Sequence, residues 1–242
     1  ALEAETGLTL MASFEHEFSV TGPDFPPSAG FSISAVFQQN RFLTELEAAL
    51  THAGVTTYTI EPEYGAGQYE VACAPEIGLK AADVCVITRE IIREIARRHG
   101  LSASFTPKPA ADAVGNGAHV HFSLVDKSGE NRTYDPAGPM QLSQVAARFS
   151  AGILAHVDAL LALTAPVPVS YFRLGPHHWS TGYCAIGLQN REATLRVTPG
   201  LGDEVSRAKG HNIEYRPCDG TASPYLVLGA LIFAGLDGIR RN

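Results

Sequence analysis

GNGAHVHFSL, residues 115–124, sets two imidazoles one residue apart in an otherwise apolar run. Side chains two apart on a β-strand point to the same face. His119 and His121 therefore share one face, while Val120, Phe122 and Leu124 belong to the other. Two more stretches follow this pattern. FEHEF at 14–18 brings Glu15 and Glu17 together beside Phe14 and Phe18, and EYR at 214–216 pairs Glu214 with Arg216. A single pair of this kind is what any solvated sheet face shows. Repeated in apolar surroundings, it describes a sheet with one face in a core and the other lined with carboxylates, imidazoles and guanidinium groups. His16, between the two glutamates, falls on the core face and is expected to be structural.

The rest of the chain supplies the partners of such a sheet. Helical periodicity runs over 36–54, 81–99, 142–164 and 224–241. In the second, Val84, Ile87, Ile91 and Ile95 form one stripe and Gly100 sits at the C′ position. Ser143 is placed to cap the third. Strand-like segments fall at 8–20, 56–61, 67–74, 101–106, 117–125, 184–188, 193–198 and 211–216. Without regular β-α-β alternation, the order reads as an α+β domain with a mostly antiparallel sheet and helices on one face. The Pro/Gly-rich stretches 21–30 and 126–138 read as exposed loops rather than linkers.

At 242 residues and 45% hydrophobic, the chain can bury one substantial core. A net charge of −7, with no dense Lys/Arg run, argues against nucleic-acid binding. Cys73, Cys85, Cys184 and Cys218 are scattered, with no C-x-x-C spacing, as in a reduced cytosolic protein. The longest apolar run, 225–236, stops at Asp237. It is too short for a bilayer and reads as a buried helix. No signal peptide opens the sequence, so a soluble, cytoplasmic protein with no membrane partner is expected.

The chemistry follows from what else reaches the polar face. EYGAGQYE at 63–70 adds Glu63 and Glu70 around a Gly-rich bend, and NREATLR at 190–196 adds Arg191 and Arg196. Carboxylates converging on one cavity repel unless cations lie between them. Several glutamates with one histidine form a hard, oxygen-rich donor set that favours Mg²⁺ or Mn²⁺ over Zn²⁺. Arginines on the same face bind phosphate or carboxylate through paired hydrogen bonds. Together these groups suit two-metal phosphoryl transfer.

EPEYGAGQYEVA, FTPKP, GNGAHVHFSL, SYFRLGP, NREATLRV, NIEYRPCDGTASPYL and AGLDGI occur in the order and spacing of the glutamine synthetase family, which the chain resembles over about residues 10–239. The guanidino kinases resemble that fold too, but these motifs match the ligases. The resemblance implies an ATP-dependent carboxylate–amine ligase. ATP would phosphorylate the γ-carboxylate of glutamate, and an amine would then attack the acyl phosphate. It implies Glu17, Glu63 and Glu70 around one divalent metal and Glu15, His119 and Glu214 around a second, with His119 also at the substrate. His121, Ser123, Arg196 and Lys209 would approach the nucleotide. Gly115, Arg173 and Arg216 would contact glutamate. Arg191 and Arg216 would stabilise the transferred phosphoryl group, and Glu63 is the candidate proton acceptor for the amine. A homo-oligomeric ring is implied for the full-length protein. Taken without the resemblance, His121 reads equally well as a satisfied strand histidine, and Lys209, in the loop-like RAKGHN, as a solvated lysine.

Three departures from the family pattern matter. Glutamine-forming members carry a glutamate six residues after the arginine matching Arg173, and here that position is Trp179, in RLGPHHWS at 173–180. The change disfavours ammonia and favours a bulkier organic amine, as in the γ-glutamyl–amine ligases, with Trp179 at the acceptor. The alternative is that Trp179 only packs the loop. His177 and His178 read as loop or acceptor-rim residues. Val114 stands where an asparagine often touches glutamate, which loosens the expected glutamate specificity. The family's N-terminal β-grasp domain and C-terminal tail are not in the sequence, so 1–242 reads as a catalytic domain alone. An ordinary glutamine synthetase with a variant ammonium site is the alternative enzyme, and a non-catalytic structural relative the alternative outside enzymes.

Overall fold

The computed structural model describes residues 1–23 and 29–241. In chain order the elements are α1 (Leu2–Thr6), β1 (Thr9–Thr21), α2 (Ile33–Gln38), α3 (Asn40–His52), β2 (Thr57–Pro62), β3 (Gln68–Cys73), β4 (Glu76–Ile77), α4 (Leu79–Arg98), β5 (Ser102–Ser104) and β6 (Val120–Val125). After a 3₁₀ turn at Pro139–Gln141 come α5 (Gln144–Ala155), α6 (Val157–Thr164), α7 (Ser170–Arg173), β7 (Tyr183–Leu188), β8 (Ala193–Thr198), α8 (Glu204–Gly210), β9 (Asn212–Tyr215) and α9 (Pro224–Arg241).

The alternation read in FEHEF holds along the whole of β1. Its even-numbered residues from 10 to 20 are buried, and the odd-numbered ones from 9 to 19 are only partly so. The sheet runs β2-β3-β1-β6-β9-β8-β7, with β4 and β5 also pairing to β1. Among the described strands only the β7/β8 pairing is parallel. This is the expected α+β architecture.

Both halves of the core lie on the even face of β1. Leu10, Phe14, Val120, Phe122, Leu195 and Tyr215 pack with Phe149 and Ile153 of α5 and Val227 and Leu231 of α9. Phe18, Tyr69 and Val71 pack with Phe42, Leu46 and Leu50 of α3 and Ile92 and Ile95 of α4. His16 sits here as expected, near Phe14 and Phe105, and burial pushes its imidazole down to about 3. α5 and α9 cross at backbone contact: a Cβ on Gly152 would lie 2.2 Å from the Ala234 carbonyl oxygen.

Several boundaries differ from the sequence reading. The helix expected over 36–54 is two, broken at Gln39 (φ −110°, ψ 19°), with Ser32 capping the first. The helix expected over 142–164 breaks at His156 (φ −113°, ψ 11°) into α5 and α6, bent by 76°. The bend buries Leu160 and Thr164, whose hydroxyl meets Tyr215 Oη at 2.9 Å. On α4 the buried face is Ala81, Ala82, Cys85, Thr88, Ile92, Ile95 and Ala96, while Ile87 is 40% exposed. The small residues let that helix sit close, so the face is rotated from the expected stripe. Gly100 is left-handed at φ 69° and Ser143 accepts from the Ala146 amide, both as expected.

RAKGHN is not a loop: α8 includes Lys209, started by an Asp203 cap. The run 225–236 is helical but buried on one side only, leaving Tyr225, Leu226 and Phe233 exposed. In the expected loop 21–30, positions 24–28 lie outside the described residues. The loop 126–138 is largely exposed around a buried Thr133. No single described helix is long and apolar enough to cross a membrane.

Candidate active site

Sheet register assembles the polar face. Glu17 lies opposite Glu70 on β3, which lies opposite Glu61 on β2. One row over, Arg196 on β8, Glu214 on β9, His121 on β6 and Ser13 on β1 are successive partners. Because paired residues point to the same side, the two rows lie on one face of the sheet.

His119, just ahead of β6, is the hub between the rows. Its Nδ1 lies 3.3 Å from Glu15, 3.4 Å from Glu214 and 3.7 Å from Glu17. Ligand atoms of Glu15, His119 and Glu214 all fall within 4.8 Å of one another, as do those of Glu17, Glu70 and His119. The second triad expected from the sequence is thus assembled. Of the first, Glu17 and Glu70 come together, with His119 beside them. Glu63 lines the same cavity, but its Oε2 accepts from the Tyr64 amide at 3.0 Å. The backbone around the hub depends on residues that the sequence reading did not single out. A Cβ on Gly117 would lie 2.6 Å from His119 Nε2, and the Gly117 amide donates to Glu17 Oε2 at 2.6 Å. Gln68 Nε2 donates to the Gly115 carbonyl and to Asn116 Oδ1 at 2.8 and 2.9 Å, tying β3 to the GNG loop.

The carboxyls feel one another. Burial, then Glu15 and Glu17, push Glu70 up to about 10, and burial with Glu17 lifts Glu63 to about 7. Burial opposes the charge on Glu15, but His121 and His119 hold it well below the usual carboxylate range. Burial likewise opposes the charge on His121, yet Glu15 at 2.9 Å and Glu214 lift that imidazole to about 9. A site whose carboxyls hold protons for want of positive charge fits a divalent cation, and the oxygen-rich donors fit Mg²⁺ or Mn²⁺.

The arginines close the other side. Glu214, fully buried, pairs with both Arg196 and Arg216. Arg216 also donates to the carbonyls of Arg191 at 3.0 Å and Trp179 at 2.7 Å. Arg173 is buried under Gly115, its Nη2 donating to the carbonyls of Pro217 at 2.5 Å and Cys218 at 3.0 Å, while its Nε has no partner among the described residues.

Three cavities meet here. The first, about 540 Å³, holds the glutamates, His119, Gly115, Arg173, Arg191, Arg196 and Arg216. The second, about 740 Å³, adjoins it across Tyr64, Lys108, Val114, Gly115, His178 and Trp179. The third, about 580 Å³, adjoins it at Glu15 and brings together His121, Ser123 and Lys209 with Met11, Tyr58 and Pro75. Arg196, expected with that nucleotide group, faces the first cavity instead, because Glu214 draws it there. The Ser123 hydroxyl donates to the His211 carbonyl at 3.1 Å. Trp179 stands between the first two cavities, 54% exposed, edge-on to Tyr64 at 5.4 Å. His177 and His178 are rim residues of the second cavity.

The family described as glutamine synthetase, catalytic domain, matches residues 1–242. The gamma-glutamylpolyamine synthetase GlnA3 of Streptomyces coelicolor is 37% identical over 241 residues, covering 96% of this chain and 51% of that protein. A glutamine synthetase of Methanocaldococcus jannaschii is 38% identical over 199 residues, covering 82% and 42%. Among solved structures, one described as a novel glutamine synthase homolog superposes with a TM-score of 0.92 at 45% identity, over 98% of this chain and 56% of that one. A GmaS/ADP complex superposes at 0.85 with 29% identity, over 99% and 56%. The chain spans about half the length of these curated relatives.

Proposed function

Since the chain belongs to the glutamine synthetase family, matching its catalytic domain, we propose that it carries the active site of an ATP-dependent ligase joining the γ-carboxylate of glutamate to an organic amine. The observation that carries this reading is the order of the cavities. The cavity of His121, Ser123 and Lys209 adjoins at Glu15 a carboxylate-and-arginine cavity, which adjoins at Trp179 a largely apolar one.

ATP occupies the third cavity, with His121, Ser123 and Lys209 around it and its γ-phosphate reaching the first. Glu15, His119 and Glu214, and Glu17, Glu70 and His119, are the groups that would hold divalent metal, whose charge would offset that of the phosphates. Glutamate lies in the first cavity beside Gly115 and Arg173. A γ-carboxylate oxygen attacks the γ-phosphorus, the bond to the β-phosphate oxygen breaks, and ADP leaves. Arg191 and Arg216 neutralise the phosphoryl group in flight. The amine nitrogen then attacks the acyl carbon, inorganic phosphate leaves, and the amine's proton passes to Glu63. An acid raised to about 7 is matched to that task near neutral pH.

The acceptor's body lies in the second cavity. Ala110, Ala111, Ala113, Val114 and Phe172 line it with Trp179, and its single carboxylate among the described residues, Asp112, shares the wall with Lys108. That balance suits a primary amine with an apolar body and one cationic centre better than a polyamine. The test is phosphate release by the whole protein with glutamate, Mg²⁺-ATP and a panel of ammonium, ethanolamine, alkylamines, arylalkylamines and spermine. Highest kcat/KM with an apolar monoamine is expected. Highest kcat/KM with ammonium would make the protein a glutamine synthetase and sink the acceptor assignment.

A further inference from the structure

The chain turns over the acceptor side of the cavity in a conformation that its residues disfavour. His177, Trp179 and Thr181 have φ of 64°, 52° and 74°. The left-handed region is one that side chains other than Gly, Asn and Asp seldom enter. A bend of this kind persists only where its surroundings hold it.

Two side chains outside the turn, Glu192 and Arg216, do the holding. Glu192, just ahead of β8, accepts the His177 amide on Oε2 at 2.9 Å and the Trp179 amide on Oε1 at 2.8 Å. Charge-assisted bonds of this type are the stronger class. Glu192 is anchored in turn: its amide donates to Asn190 Oδ1 at 2.9 Å, and its carbonyl accepts from the Tyr183 amide at 3.3 Å. On its other side Trp179 offers its carbonyl to Arg216 Nη2 at 2.7 Å. Trp179 is therefore held at both its N–H and its C=O, which sets where the indole stands. Both carboxylate oxygens of Glu192 face these amides, and the residue lines neither adjoining cavity. It is not a replacement for the ammonium-binding acid that Trp179 displaced.

We propose that Glu192 is the positioning residue of the acceptor side. By accepting the two amides it fixes the Trp179 indole at the passage between the two cavities, and so sets which amine enters. The acceptor half of this inference rests on the function proposed above; the clamp itself does not.

The test uses the whole protein with Glu192→Gln and Glu192→Ala, and Trp179→Phe to isolate the Trp179 fluorescence by difference. Glutamine keeps the shape but offers one acceptor oxygen to two amide donors, so a folded variant is available if alanine is too disruptive. Acrylamide quenching of the Trp179 signal should rise, and the acceptor KM should rise by roughly tenfold or more, as loss of a charge-assisted bond implies. The KM for ATP should stay within about twofold, because no residue of the turn lines the third cavity. Unchanged quenching in both variants overturns the clamp. Raised quenching with an unchanged acceptor KM, or with an ATP KM that rises in parallel, overturns its role in amine selection. If the parent turns over no amine, the proposed function fails, and quenching alone decides the clamp.

Discussion

Replacing Glu70 with glutamine should stabilise the metal-free protein by an amount that grows with pH. Glu70 is 7% exposed and faces Glu17 across the sheet, and burial with its acidic neighbours pushes it up to about 10. In the unfolded chain it ionises near its ordinary value of 4.5. The folded protein thus keeps a proton that the unfolded chain releases. Stability from that proton is complete below the unfolded value and drains away as pH rises toward 10. Across pH 5.5 to 7.5, one extra bound proton amounts to 1.36 kcal/mol per unit, or about 2.7 kcal/mol. For a chain of this size each kcal/mol moves Tm by roughly 2–4 °C, so the parent should fall behind Glu70→Gln by roughly 5–10 °C over that interval. Other shifted groups, such as His16 and His121, titrate in both proteins and largely cancel in the difference. The assay is thermal unfolding of both proteins in EDTA at pH 5.5, 6.5 and 7.5. Adding Mn²⁺ should then stabilise the parent more as pH rises, since ligands must lose their protons to bind. Glu70→Gln should gain much less. Parallel Tm–pH curves in EDTA would refute the account of a site short of positive charge.

Gly117→Ala should push the His119 ring off its position, since the new methyl would lie 2.6 Å from Nε2; Mn²⁺ affinity by calorimetry should fall roughly tenfold or more, and unchanged affinity would remove His119 as hub. Gly152→Ala, at the α5/α9 crossing, should cost about 1–3 kcal/mol in urea unfolding and leave Mn²⁺ affinity alone. With Glu63 as base, amide formation should rise with pH through about 7. In Glu63→Gln that step should flatten and the rate fall by roughly 10²-fold or more; retained parental activity would take Glu63 out of the reaction.

The parts of the site legible in the sequence are those that a strand's period of two determines. Glu15 with Glu17 and Glu214 with Arg216 each had to share a face once a strand was granted, and Glu214 and Arg216 form a buried ion pair. Pairing across strands needed the register, which no local pattern reveals, and so did the placing of Arg196 on Glu214, in the first cavity. Glu63 sits on a turn beyond β2, where no periodicity applies, and its approach to the cavity depends on how that turn folds. The breaks at Gln39 and His156 carry neither proline nor glycine, so the helical pattern ran through them. On α4 two adjacent stripes were both apolar enough, and only the packing chose between them. Glu192 was invisible because its partners are backbone amides, which every residue possesses.

Along β1, residues that build the interior alternate one by one with those of the opposite face, where Met11, Ser13, Glu15 and Glu17 line the cavities. Inserting or deleting a single codon within positions 10–20 would drive glutamates into oil and turn phenylalanines outward at one stroke. No heritable path through such a lesion keeps the fold while relocating the chemistry. The proposed chemistry is therefore locked to the strand, and novelty must arise where length can vary: the turns bearing Trp179 and residues 108–114. A change of length there can reshape the second cavity while the strand and its carboxylates stay in place.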